Sequence, residues 1–242
     1  MIKKQGILLV SHGSRSPRPA EEKAALTAKL QMLYPHVTVR AAYLELAEPS
    51  VMQGLLEFEQ EGVKELLVLP LMLFPATHVS EDIPDILQNY RMAGGSMKVH
   101  YGTEIGASDR IISAAAEAIR QTDGVTGRLV LLVKGSSNPV VAKRGKEVLE
   151  RLQEMLQITQ GRLCFTGNKR PSLAATLIEA AADDVEDISV CPFFLFSGRL
   201  LDRAENSVEG FVAANPEINV KIAPVLYDQP GVLDALADQI FF

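Results

Sequence analysis

The chain has 242 residues, with 24 Lys and Arg against 30 Asp and Glu and a formal net charge of −6 at pH 7, which excludes a general polyanion binder such as a non-specific nucleic-acid protein. With 47% hydrophobic and 22% charged residues, it can bury enough apolar surface to offset the conformational entropy of folding, which excludes intrinsic disorder, and its length suits one large or two small domains. Cys164 and Cys191 stand far apart with no C-x-x-C pair, so neither a disulfide framework nor a zinc knuckle is expected.

Lys3 and Lys4 precede an apolar run, Gly6 to Val10, that is too short for a signal-peptide core. This run and those at Val37 to Leu44, Glu65 to Phe74 and Met97 to Tyr101 predict the first four strands. Between the first two, Leu26, Leu30 and Leu33 recur at helical spacing after Pro19. Ser50 opens a helical segment that stops at Gly62, and Ser80 with Glu81 and Asp82 caps a helix carrying Pro84 in its first turn. Ser108 and Asp109 open another helix. The longest apolar run, Leu66 to Ala76, contains Pro70 and Pro75 and is about half a membrane span. After a break at Gln121 to Gly127, strands are expected at Arg128 to Val133, Gly161 to Phe165, Ile188 to Phe196 and Val220 to Pro224, with a helix carrying Val141, Val148, Leu152 and Met155 after Pro139. Alternating short strands and amphipathic segments predict βαβ units and parallel sheets. The expected protein is soluble and cytoplasmic, with no membrane or nucleic-acid partner.

The chain also repeats itself. At a shift of 122 residues, Ile7 to Val10 with Gly13-Ser14 falls on Leu129 to Leu132 with Gly135-Ser136, and Pro49-Ser50 falls on Pro171-Ser172. Leu69-Pro70 with Leu73-Phe74 falls on Cys191-Pro192 with Leu195-Phe196. An internal duplication follows: α/β, two similar parallel-sheet βα-repeat domains, residues 1–122 and 123–242, with a cleft between them.

Three residues stand where chemistry is expected. His12 follows the first strand, Glu45 the second and His78 the third, 33 residues apart in each step. The carboxyl ends of parallel strands are where ligands bind in open α/β sheets, so the three side chains can converge. Two imidazoles and a carboxylate suit a divalent first-row metal such as Fe(II) or Co(II). At the same shift these positions hold Lys134, Gly167 and Leu200. The candidates vanish together while the hydrophobic framework persists, which a purely structural role does not explain. His36 and His100 read as structural. The loop Ser11-His12-Gly13-Ser14-Arg15 leads towards a helix, so its backbone N–H groups and Arg15 are candidates for holding an anion. Lys143, Arg144, Lys146, Glu147, Glu150, Arg151 and Glu154 form an alternating solvated helix face.

Taken together, Ser11-His12-Gly13-Ser14-Arg15, Tyr43-Leu44-Glu45 with Glu48-Pro49-Ser50, and Pro70-Leu71-Met72-Leu73 leading to His78 and Glu81-Asp82-Ile83-Pro84 resemble the sirohydrochlorin chelatases of the class II group, in their long form of two fused halves. Lys134-Gly135-Ser136-Ser137-Asn138-Pro139 and Phe194-Leu195-Phe196-Ser197-Gly198 look like the degenerate second half of that form. The resemblance implies ATP-independent insertion of Fe2+ or Co2+ into sirohydrochlorin, for sirohaem or cobalamin biosynthesis, with Ni2+ as a further metal in vitro and no cofactor beyond the substrate metal. It implies that His12, Glu45 and His78 form the metal site and act in catalysis. Ser11 stands where the family often has Gly, and Pro75-Ala76-Thr77 where it often has Gly or Ala. The chain lacks the histidine-rich stretch and cysteine cluster of some cobalt-inserting members, which favours iron. Sirohydrochlorin carries eight carboxylates while the chain is net acidic, so local donors must recognise it: Ser11, Gly13, Ser14 and Arg15 in the first half, and Lys134, Arg199 and Arg203 in the second. A monomer suffices for a duplicated chain. The alternatives are phosphoryl transfer through His12, as in the histidine phosphatases, although Ser11 and not Arg precedes it, and a non-catalytic metal or tetrapyrrole carrier.

Overall fold

A computed structural model describes residues 4–74, 78–122, 127–182 and 185–242, with the side chain of His78 outside the description. Two compact units emerge, Met1–Gly106 with Leu233–Phe242, and Ala107–Val232. In the first, β1 (Gln5–Ser11), α1 (Pro17–Leu33), β2 (Thr38–Tyr43), α2 (Val51–Gln60), β3 (Glu65–Pro70), α3 (Ile83–Met92) and β4 (Lys98–Tyr101) follow in order. All strands are parallel, in the order β2-β1-β3-β4. Ile7, Leu8, Leu9 and Val10 are fully buried, so β1 is covered on both faces, as a parallel strand must be. Leu8 and Val10 pack with Leu55 and Phe58 of α2 and Leu87 and Tyr90 of α3, while alternation turns Ile7 and Leu9 to the opposite face.

The second unit contains α4 (Asp109–Arg120), β5 (Arg128–Val133), α5 (Pro139–Leu156), β6 (Gly161–Phe165), α6 (Leu173–Ala181), β7 (Asp187–Pro192), α7 (Arg199–Ala214) and β8 (Asn219–Ile222). Its sheet repeats the first, in the order β6-β5-β7-β8. A last helix, α8 (Pro230–Ala237), leads into the C-terminal residues. These units differ from the expected repeats at 1–122 and 123–242 in two segments: α4 groups with the second unit and 233–242 with the first. In α4, Ile111, Ile112, Ala115 and Ile119 are buried, and Asp109 pairs with Arg151 of α5 at 2.9 Å. In the first unit, the Gln239 side-chain oxygen accepts the Thr103 N–H at 2.9 Å. Residues 123–126, within the expected break, and 75–77 lie outside the described residues, as does Lys3.

Three expectations are corrected. The apolar runs that predict strands to Phe74 and Phe196 end as strands at Pro70 and Pro192. Leu71 and Phe193 each make a further ladder bond, to the carbonyls of Val10 and Leu132 at 2.7 and 2.9 Å. Beyond them Met72, Leu73, Phe194 and Leu195 remain buried, so these residues are apolar because they plug the core as loops. Leu33, expected on the core face of α1, is 57% exposed because it closes the helix past its last buried turn. Ser108 and Asp109 open α4 as expected, with Ser108 at the N-cap position and no side-chain bond to the helix. Ser80 does not cap α3; it lies within a π-helical turn, His78–Asp82, that runs directly into it. The Ser50 cap of α2 is present as a full capping box with Gln53.

Candidate metal centre

In each unit the sheet grows outward on both sides of its first strand, which places a topological switch point at the carboxyl end of β1. His12 is the residue after β1 and Glu45 lies two residues after β2. Backbone bonds continue past both strands: the Leu44 N–H donates to the Ser11 carbonyl at 2.9 Å and the Glu45 N–H to the His12 carbonyl at 3.0 Å. The two predicted ligands are thus held side by side by their own backbones, with His12 half-buried and Glu45 exposed. Gly13 adopts φ +95°, and a Cβ there would stand 1.8 Å from the Glu45 carbonyl oxygen. Only glycine permits both that conformation and that approach. The Glu45 loop is closed at its base by the Tyr43 N–H donating to the Pro49 carbonyl at 2.9 Å.

His78 opens the π-helical turn before α3. That turn is anchored by Val79, whose carbonyl accepts the Tyr101 hydroxyl at 2.8 Å and whose side chain packs against the first core. Single π-turns are rare and recur at functional sites. The matching position in the second half, Leu200, sits inside the regular helix α7 and packs against the second core. Where the histidine is lost, the distorted turn is lost with it. Among the described residues no three His, Cys, Asp or Glu side chains gather as a metal site. The His78 side chain is outside them, so its place is given by its backbone.

The remaining predicted residues spread over the two carboxyl edges. Ser11 is buried, Gly13 and Ser14 are half-buried and Arg15 is exposed. The Ser14 hydroxyl accepts the Ser16 N–H at 3.1 Å. Pro17 and Pro19 stand in the first turn of α1, and proline has no N–H to donate. The helix terminus is therefore poor in anion-binding donors. This also weakens the phosphoryl-transfer alternative. In the second unit Lys134, immediately after β5, and Arg199 and Arg203, on one face of the first turns of α7, are all exposed.

His36 is exposed. His100 hydrogen-bonds the Glu65 carboxylate at 2.8 Å and meets the Phe241 ring edge-on at 4.7 Å between centroids, consistent with a structural role. Lys23 near the site was not singled out by its sequence position, where it reads as one more polar residue of an amphipathic helix. It is buried, and its ammonium lies 5.0 Å from the centre of the Tyr43 ring. Burial pushes its pKa down, partly offset by the charge of Glu22, and burial pushes the Tyr43 hydroxyl up.

Among the described residues no helix is long and apolar enough to cross a membrane. The chain is 30% identical to the sirohydrochlorin ferrochelatase of Bacillus subtilis (strain 168), over 98% of this chain and 91% of that protein. Its fold is similar to that of SirB from Bacillus subtilis with Fe3+, at a TM-score of 0.85 and 29% identity, covering 98% of this chain and 94% of that one. It is also similar to the sirohydrochlorin chelatase SirB of Bacillus subtilis subspecies spizizenii in complex with cobalt, at a TM-score of 0.80 and 27% identity over the same shares. The family described as CbiX matches twice, over residues 6–122 and 128–241, one match for each repeat, and the chain belongs to that family.

Proposed function

We propose that the protein inserts Fe2+ or Co2+ into sirohydrochlorin without nucleotide hydrolysis, with His12, Glu45 and His78 as the residues that take the metal. The observation that carries this reading is the backbone bond that sets Glu45 beside His12 at the switch point, together with a π-turn opening at His78 in the half that keeps all three residues. The family membership and the names of the similar proteins support the substrate and both metals. The ferrochelatase name of a relative matched over nearly its whole length supports iron first.

Metal insertion must strip water from the cation, remove two pyrrole protons and bring the macrocycle nitrogens to the metal from one side. Neutral imidazoles at His12 and His78 hold the incoming cation, and an imidazole, with an ordinary pKa of about 6.5, also accepts a proton near neutral pH. Glu45 adds negative charge beside them, favouring a divalent ion, and its exposure leaves it open to solvent for passing protons on. Arg15 and the Ser11-to-Arg15 backbone donate to substrate carboxylates in the first unit, and Lys134, Arg199 and Arg203 do so in the second. The chain works as a monomer, the second repeat binding substrate without metal chemistry.

Anaerobic insertion of Fe(II) and Co(II), run separately and followed by absorbance, tests this. The native chain accelerates insertion over the spontaneous reaction, and His12→Ala and His78→Ala abolish the acceleration. A folded native chain that gives no acceleration with either metal overturns the reading; binding of sirohydrochlorin without turnover would make the protein a carrier.

A further inference from the structure

The Glu45 loop and its counterpart in the second half share one frame but differ in one backbone feature. Each is closed by the same bond, Tyr43 N–H to the Pro49 carbonyl at 2.9 Å and Phe165 N–H to the Pro171 carbonyl at 3.0 Å, and by the same short bridge, Tyr43 with Ser50 and Phe165 with Ser172. Each turns through a left-handed residue. In the second half this is Gly167, at φ +70°, the counterpart of Glu45, and glycine adopts that conformation freely. In the first half the position carries the carboxylate, and the left-handed residue is the next one, Leu46, at φ +64°. Leucine is poorly suited to that region, which glycine and asparagine occupy routinely. The counterpart of Leu46 is Asn168, a residue of the tolerant kind.

Packing within the fold does not account for the leucine. Its side chain is 47% exposed, so the protein holds an aliphatic group in solvent, on an unfavourable backbone, directly beside Glu45. Outliers of this kind persist where surroundings over-determine them and concentrate at ligand-binding positions. A tetrapyrrole is charged at its rim and apolar on its faces, so an aliphatic side chain at the rim of the metal site complements a surface that the charged donors cannot. We propose that Leu46 is the apolar contact for a face of the bound macrocycle, seating it beside Glu45, and that the left-handed turn serves to present it. The inference rests on the chelatase reading.

The test uses the full chain with Leu46→Asn and Leu46→Gly, both at ease in a left-handed backbone, and Leu46→Met, which keeps an apolar chain. Three quantities are read: steady-state Co(II) insertion, Co(II) affinity without tetrapyrrole, and the melting temperature. Removing the apolar contact raises the KM for sirohydrochlorin on the order of tenfold in the Asn and Gly variants, more than it lowers kcat. Their Co(II) affinity holds, their melting temperature does not fall, and Leu46→Met brings the KM back towards that of the native chain. An unchanged KM in the Asn and Gly variants overturns the proposal while leaving the chelatase reading standing. A fall in Co(II) affinity and kcat at constant KM overturns it too, since Leu46 would then only position Glu45. Absence of turnover in the native chain removes both readings together.

Discussion

Replacing Gly13 by alanine tests whether the backbone contact between the first two loops is what assembles the proposed metal site. The substitution does two separable things. It places a side chain at φ +95°, which costs about 1–2 kcal/mol, and it drives a Cβ to 1.8 Å from the Glu45 carbonyl oxygen. Contacts under 3.0 Å are essentially never seen, so one loop must retreat by about 1.2 Å, enough to break the Glu45 N–H bond to His12, a loss of about 1 kcal/mol. Total destabilisation is about 2–3 kcal/mol. A shift of about 1 Å between two groups proposed to act on one ion lowers turnover by about a hundredfold. Gly62→Ala supplies the control, because it shares the left-handed backbone at φ +77° but has nothing within 4 Å of the added carbon. It loses about 1–2 kcal/mol and keeps its turnover. Gly135→Ala, whose Cβ would stand 2.2 Å from the Thr166 carbonyl oxygen, loses stability in the half without the proposed ligands and keeps Co(II) affinity. Urea melts, Co(II) titration by absorbance and insertion kinetics measure all three. Gly13→Ala turning over within about threefold of the native chain while folded, or Gly62→Ala losing as much activity as Gly13→Ala, refutes the reasoning.

Two further predictions concern titration. The Glu65 carboxyl is held down at about 2 by hydrogen bonds from His100, then Lys98 and Gln5. A carboxyl depressed by folding contributes stability that is whole above the unfolded value near 4.5 and is lost as pH falls towards 2; urea melts at pH 5 and pH 3 therefore show a smaller difference in Glu65→Gln than in the native chain, and an equal difference counts against the Glu65 assignment. The Cys164 and Cys191 thiols are pushed up to about 12 by burial, so native protein at pH 8 reacts with a thiol reagent only at the rate of unfolding. As their folded pKa lies above the unfolded value of 9.0, their contribution is whole below pH 9 and wanes as pH rises towards 12. Rapid labelling of two thiols in folded protein would contradict their burial.

The fold was legible because the duplication makes each element its own replicate. β3 at Glu65–Pro70 and β7 at Asp187–Pro192 begin and end 122 residues apart, and period and punctuation located the first start and came within one residue of the second. Their ends were misplaced for a physical reason: Leu71 to Leu73 and Phe193 to Leu195 are as buried as strand residues, and hydrophobicity reports burial, not hydrogen bonding. His12 and Glu45 were legible as neighbours because parallel register forces the residues after β1 and β2 together. The π-turn at His78 was not, since such a turn has no local residue signature. Nor did any pattern reveal that α4 belongs to the second unit, because an amphipathic face specifies that a helix is buried and not against what.

The two halves also bear on how far the second has departed from metal chemistry. The frame is shared, down to the bond that closes the loop after the second strand. The differences fall at the loop residues and extend beyond the three side chains. Lys134 replaces a histidine in place, but Gly167 now takes the left-handed turn that Leu46 takes in the first half, and Leu200 lies within an uninterrupted helix against the second core. Restoring His, Glu and His at these positions would therefore place a glutamate in a glycine conformation and withdraw an apolar group from a packed cluster. A metal site in the second half should not follow from those three substitutions alone, because backbone and core there are built around other residues; the proposed ligand set and the loop geometry that presents it form one unit of structure.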